Sequence, residues 1–355
     1  MTPVPRFSAS QLREPIVLAP MGGGPSTPEL AVAVSEAGGL GFLAAGYRTP
    51  AQVRQEIREV RRRTERPFGV SVFATPAAIA DAAAVDRYAA SLQADAARLG
   101  VEPGEPRHDD DALDEKLAVA AEEGVAVLSF TFGSPGKDVV ERLQRAGTAV
   151  WVTATTVEEA VAAAAGGADA LVVQGVEAGG HRGSFQDEHP GDIGLLALLQ
   201  LVGAAADLPL VATGGIMTGR GVAAVLAAGA VAAQLGSAFM RTPEAGTTPA
   251  HRAALAGDRP TALTRAFTGR SARGIANRFM AEHEAEAPRG YPDVHHVTAP
   301  LRAAARERGE AEAVNLWAGQ AYPLAAELPA GELVRRLGEE ARAALRAAAA
   351  RLNSG

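Results

Sequence analysis

With 355 residues, 47% of them hydrophobic and 21% charged, the chain has material for about two average domains or one large barrel with an insertion. Its formal net charge of −7 argues against a main role on the phosphate backbone of nucleic acid, which calls for a basic stripe. The absence of cysteine excludes disulfides, thiolate nucleophiles, Fe–S clusters and cysteine-held zinc.

The opening stretch MTPVPRFSASQLREP lacks the apolar core of a secretory signal. Later apolar runs are broken by charge, Gly or Pro before they reach the roughly 20 residues that a bilayer demands. The expectation is a cytoplasmic protein that meets neither membrane nor nucleic acid.

Along the chain, short continuous apolar runs alternate with segments of 3.6-residue periodicity. Strands are predicted at 16–21, 40–46, 68–73, 125–132, 149–154, 170–174, 208–213 and 231–239, and helices at 27–37, 50–63, 137–145, 157–165, 195–205 and 221–228. Strands apolar at every position are buried on both faces, as in parallel sheets. Eight of them alternating with helices predict an α/β fold, a (β/α)8 TIM barrel.

Two regions break the rhythm. Residues 75–123 read as a helical insertion, and 243–314, rich in Arg, Glu, His and Pro, read as a second, smaller lid or substrate domain over the C-terminal face. The barrel is then 1–242 together with 315–355, closed by a helix at about 330–352 whose Leu333, Leu337, Ala341 and Leu345 share one face.

Glycines gather just after strand ends, in Met21-Gly-Gly-Gly24, Gln174-Gly-Val-Glu-Ala-Gly-Gly-His-Arg-Gly183, Gly214-Gly215 and Gln234-Leu-Gly-Ser237. In a barrel these points share one rim, where glycine admits positive φ and lets backbone N–H groups approach an anion. Gly214–Gly215 and Gln234–Ser237 are therefore expected to form a phosphate cradle. Rival motifs fail on context. Gly39-Leu-Gly-Phe-Leu-Ala44 runs into a strand. Gly219-Arg-Gly-Val-Ala-Ala224 lacks an acid about 20 residues on, and Gly136-Lys137 lacks the upstream Walker glycine. Among seven histidines, His181 stands out, because its glycine-rich loop has no periodicity that would bury it. A neutral imidazole there can exchange a proton with a substrate. His295 and His296 are expected to be solvated surface residues rather than metal ligands, and no metal site is predicted.

With these pieces in view, the chain resembles the nitronate monooxygenase (2-nitropropane dioxygenase) family over nearly its whole length. The resemblance is carried by Pro15-Ile-Val-Leu-Ala-Pro-Met21, Ala37-Gly-Gly-Leu-Gly41, the EAGGHRG loop at 177–183, Ala212-Thr-Gly-Gly-Ile216, Gln234-Leu-Gly-Ser-Ala-Phe239, Phe267-Thr-Gly-Arg-Ser-Ala-Arg-Gly-Ile-Ala-Asn-Arg-Phe279 and Trp317-Ala-Gly-Gln320. It implies non-covalent FMN and oxidation of alkyl nitronates by O2 to a carbonyl compound and nitrite, and it leaves a homo-oligomer open. It also implies cofactor contacts from Met21, Gly22, Ser71, Gln174, Gly179, Gly180, Gly214, Gly215, Gln234, Leu235, Gly236 and Ser237, with His181 meeting the nitro group. The chain departs from the family at Ser71, where Asn is usual, and across 75–123. Two other functions fit the pattern less well. One is a flavin-dependent enoyl-acyl-carrier-protein reductase using NAD(P)H, which Arg182 and the ARGI-x-NRF segment disfavour. The other is a flavin-binding regulator that has lost catalysis, which the retained His181 disfavours.

Overall fold

The computed structural model describes residues 6–74 and 80–353, so the first five residues of the 75–123 segment lie outside it. Eight parallel strands form one sheet: β1 (Ile16–Leu18), β2 (Gly41–Ala44), β3 (Phe68–Phe73), β4 (Val127–Thr131), β5 (Ala149–Ala154), β6 (Ala170–Gln174), β8 (Leu210–Thr213) and β9 (Ala232–Leu235). The short β7 (Gly180–His181) lies between β6 and β8 in the chain but outside this sheet. The order β1-β9-β8-β6-β5-β4-β3-β2 wraps round, and a parallel bridge between Val17 and Leu40 spans the last gap. This is the expected TIM barrel.

Threonines at the ends of βα loops start many of the helices. Thr27, Thr49, Thr156 and Thr218 each accept a hydrogen bond from the amide three residues on, satisfying one orphan donor of the first turn. Inside the barrel, Val17, Phe42, Val127, Trp151, Val172 and Val211 form a closed apolar plug. Alternate strand residues pack outward against the helices. The helix Ala330–Leu352 buries Leu333, Leu337 and Ala341 in this outer layer.

Several strands end sooner than their apolarity predicts, at Leu18, Ala44, Thr131 and Leu235. The residues beyond them, including Met21, Gly46, Phe132 and Gly236, are apolar or small because they line a cavity. Burial without a ladder gives the same signal as burial within one.

Over the C-terminal rim lies a second apolar cluster. The segment 243–314 contributes β10 (Thr261–Thr264), β11 (Ala272–Ile275) and the helix Asp293–Glu307; Phe267, Phe279, Val294, Val297 and Leu301 pack together there. Tyr88 and Leu99 from the helices Ala82–Ser91 and Gln93–Leu99, and Leu92 between them, join this cluster, as do Leu316 and Tyr322. The shared core thus runs across the boundaries expected from composition. The helix Leu113–Glu123 instead places Leu117, Val119 and Ala120 in the outer barrel layer, as the crossover between β3 and β4. No helix among the described residues is long and apolar enough to cross a membrane.

Candidate active site

The C-terminal ends of the strands open into a cavity of about 510 Å³ between the barrel and the second cluster. Its floor is the last inward-facing layer of the strands. Ser71, Thr131, Thr153, Gln174, Thr213 and Gln234 follow the apolar plug toward the C-terminal ends of the strands. In a strand the side chains alternate, so a polar residue at the end of the inward series faces the mouth while its neighbours face the helices.

The four glycine clusters do meet on this rim. Gly214 and Gly215 have φ of +122° and +67°. A Cβ on Gly215 would lie 3.0 Å from the Glu177 Cβ. A Cβ on Gly179 would lie 2.4 Å from the Gly319 nitrogen, and the Gly319 amide donates to Ser237 Oγ at 2.9 Å. Gly180, at φ +74°, faces open space. Met21 Sδ lies 3.7 Å from where a Gly236 Cβ would stand. Of the residues expected to touch a cofactor, Met21, Gly22, Ser71, Gln174, Gly179, Gly180, Gly214, Gly215, Gln234, Gly236 and Ser237 line the cavity. Leu235 does not. The strand alternation turns its side chain into the outer apolar layer, and its carbonyl accepts from the Ala19 amide at 2.9 Å, tying β9 to the chain just past β1.

Two glutamines on the floor differ in how far the protein satisfies them. Gln174 Oε1 accepts from Arg182 Nη1 and from the Gly183 amide, both at 2.9 Å, and its Nε2 donates to the His181 carbonyl at 3.1 Å. Its amide is largely spent on folding the glycine loop. Gln234 Nε2 is buried without a hydrogen-bond partner among the described residues, an arrangement that points to a ligand acceptor.

Arg182 is fully buried and is spent on the same loop, donating to the carbonyls of Pro190, Gly175 and Gln174 as well as to Gln174 Oε1. Burial lowers its guanidinium to about 10. Other arginines singled out by the sequence also serve the scaffold. Arg270 lies 4.0 Å above the Phe132 ring and donates to the Ser184 carbonyl. Arg273 donates to the Val176 carbonyl at 3.1 Å. Arg278 pairs with Asp95 at 2.6 Å. Asp95, Glu282 and His283 come close enough to suggest a metal, but Arg278 and Arg98 both sit on the Asp95 carboxylate and supply its counter-charge.

His181 lies on β7, which pairs antiparallel with β11 in the register His181 with Ala272. The loop that looked structureless in sequence is thus held as a strand by a partner about 90 residues away. Its Nε2 lies 2.9 Å from Thr268 Oγ1, and that hydroxyl donates to the Arg270 carbonyl at 3.3 Å. The contact fixes the ring through Nε2, and whichever way its proton lies one ring nitrogen is engaged by the protein. Burial, reinforced by the positive charges of Arg270 and Arg302, pulls the imidazole down to about 3, so it is neutral at physiological pH.

The far wall escaped the sequence reading. Tyr47, His295, Arg302 and Trp317 all line the cavity. His295 is not a solvated surface residue: its ring stacks on Tyr47 at 4.2 Å, and burial holds it well below the ordinary histidine range. His296 instead meets Asp109 at 2.7 Å. The signal was present as spacing, since His295, Ala299, Arg302 and Arg306 recur every three or four residues on one helix and all line the cavity. Among the described residues, no Asp or Glu lines the cavity.

The family model for nitronate monooxygenase matches residues 6–340. A nitronate monooxygenase from Pseudomonas aeruginosa is 46% identical over 93% of this chain and 97% of its own. The crystal structure of a nitroalkane oxidase from Streptomyces ansochromogenes superposes with a TM-score of 0.93 at 52% identity, covering 96% of this chain and 99% of that one. FabK from Thermotoga maritima is more distant, with a TM-score of 0.76 at 26% identity over 96% of both chains. The chain belongs to the nitronate monooxygenase family.

Proposed function

We propose that the cavity holds FMN and that the protein oxidises alkyl nitronates with O2, releasing a carbonyl compound and nitrite. The observation that carries this reading is the state of His181: a cavity-lining imidazole held neutral, with arginines nearby and no carboxylate on the walls. An imidazole at about 3 is a weak base, poorly suited to removing a proton from carbon. A nitronate is already deprotonated. It needs partners for its two oxygens and positive charge around it, and this cavity offers both.

The residues fit FMN. The unpartnered Gln234 Nε2 and the cavity-lining Ser71 suit the polar edge of a flavin ring. Gly214, Gly215, Gly236 and Ser237 suit a phosphate, which bare backbone can approach where a Cβ would intrude. Met21, Gly22, Gly179 and Gly180 would flank the ring system. FMN, when bound, takes electrons from the substrate and passes them to O2. The protein's part is to orient the nitronate with His181, to fix that histidine's ring through the contact of Nε2 with Thr268, and to exclude water with Phe132, Tyr47 and Trp317. On this reading residues 243–314 act as a cover over the site, and the protein works in the cytoplasm on small molecules.

The test is aerobic turnover of propionate 3-nitronate and ethyl nitronate, followed by O2 uptake and nitrite release, with the chromophore extracted and identified. FMN and stoichiometric nitrite are expected. FAD in the extract, or a protein bleached anaerobically by NADPH and inert to nitronates, would overturn the assignment in favour of a reductase.

A further inference from the structure

Arg302 is 5% exposed, yet among the described residues it meets no carboxylate. Its Nε donates to Thr298 Oγ1 at 3.0 Å, and its Nη2 donates to the His295 carbonyl at 2.8 Å and to His295 Nδ1 at 3.2 Å. Nη1 has no protein partner among those residues, and the side chain lines the cavity. A buried guanidinium is expensive unless something balances its charge. The groups that act on its charge are Arg306, Tyr47, Tyr291 and Tyr88, beside the neutral His295 and His181, and burial holds the phenols protonated.

The bond to His295 fixes that ring as well. A guanidinium can only donate, so Nδ1 must be the lone-pair nitrogen and the proton must sit on Nε2. Tyr47, stacked at 4.2 Å and parallel to within 1°, fixes the ring plane. Tyr47 is itself held at φ +65° with its amide on Asp111 Oδ1, and Asp111 pairs with the buried Lys116 at 2.7 Å. Tyr291 stands between the two histidines, its ring 5.8 Å from His181 and 6.3 Å from His295.

We propose that Arg302 Nη1 and His295 Nε2–H form an anion-holding wall facing His181, which binds the negatively charged end of the substrate and sets the preference for nitronates over neutral nitroalkanes. The assignment deepens the proposed function and rests on it for the identity of the anion. Arg302 supplies charge and one donor; His295 supplies a second donor whose tautomer Arg302 imposes. Together they offer donors to an anion whose other partner is His181, so the substrate is gripped between the barrel loop and the long helix of the second cluster.

The experiment uses FMN-loaded protein and two readouts: steady-state kinetics with ethyl nitronate, and calorimetric titration with nitrate, a planar anion of the same charge. Arg302→Met should weaken nitrate binding and raise the nitronate KM by about 10–100-fold, the loss expected for one charge-assisted hydrogen bond. Arg302→Lys should recover most of both. His295→Phe, which keeps the stack on Tyr47, should raise KM by about tenfold, and His295→Gln, which restores a donor near the Nε2 position, should reverse that rise. Flavin content and thermal midpoint serve as checks on folding. Should Arg302→Met not fold, the two His295 variants decide. Unchanged nitrate affinity and KM in folded Arg302→Met or His295→Phe would overturn the proposal, as would an equal loss in the Lys and Met variants. If the wild type binds nitrate through Arg302 yet oxidises no nitronate, the wall stands and the functional reading falls.

Discussion

His181, His251 and His295 are all held neutral by burial, and their stability consequence has a definite sign. His181 and His251 titrate near 6.5 in an unfolded chain but at about 3 and about 4 in the fold. Below pH 6.5 the unfolded chain takes up protons that the fold refuses, so stability is full above that pH and falls as pH drops toward the folded values. At pH 5 the loss is about 1–2 kcal/mol per histidine. Urea unfolding of the protein should therefore show a lower midpoint at pH 5 than at pH 7.5, and His251→Gln should narrow the gap. A midpoint that rises on acidification would contradict the burial argument. For catalysis, His181→Asn should keep FMN while turnover drops by about 10²–10⁴-fold, and the exposed His189 can be replaced with little effect. Because His181 stays neutral through this range, kcat/KM should show no inflection from it near pH 6.5. A full-activity His181→Asn holoenzyme would make it a bystander.

At the scale of elements, the strands and helices of the barrel were legible because the βα units repeat one pattern: an apolar run, a small-residue turn and an amphipathic helix, opened in four of them by a threonine cap. The rim glycines were legible for the same reason. What escaped notice was anything built by pairing at long range. The strand at His181 exists only because Ala272 and Arg273 come alongside it. The cationic wall lies in a region whose composition suggested a solvated surface. Arg182, read in the sequence only as a family discriminator, is the brace of the glycine loop. Replacing it, as in Arg182→Met, strands the carbonyls of Gln174, Gly175 and Pro190 together with Gln174 Oε1. The cost should be about 3–5 kcal/mol, read from urea unfolding, with flavin loss following from the collapsed loop. Gly215→Val separates scaffold from ligand in another way. A β-branched residue at φ +67° and 3.0 Å from Glu177 must shift the turn, so FMN affinity should fall even where the barrel still melts cooperatively. Normal flavin loading of that variant would place the phosphate elsewhere.

The whole molecule sets a cavity with arginines in its walls and, among the described residues, no lining acid, inside a chain of net charge −7. The positive field is therefore local to the mouth, where low-dielectric walls focus it. The apolar cluster above the rim draws on residues 85–99 and 240–322, with the cavity between it and the barrel. If 243–314 is a cover, its amides should exchange faster than those of the barrel in ligand-free protein and slow when nitrate and FMN are present. Uniform protection across both would argue for a single rigid body.

The pairing of β7 with β11 ties such a motion to the chemistry. Gly180 and His181 belong to the barrel loop, yet their backbone partners Arg273 and Ala272 belong to the segment above, and the hydroxyl that orients the imidazole, Thr268, comes from that segment too. Any displacement that peels β11 away also deprives His181 of its alignment. If the segment above does open, the open molecule would be a disarmed one, accessible to a ligand but without an aligned imidazole, and its closing would act as a safety catch on the site.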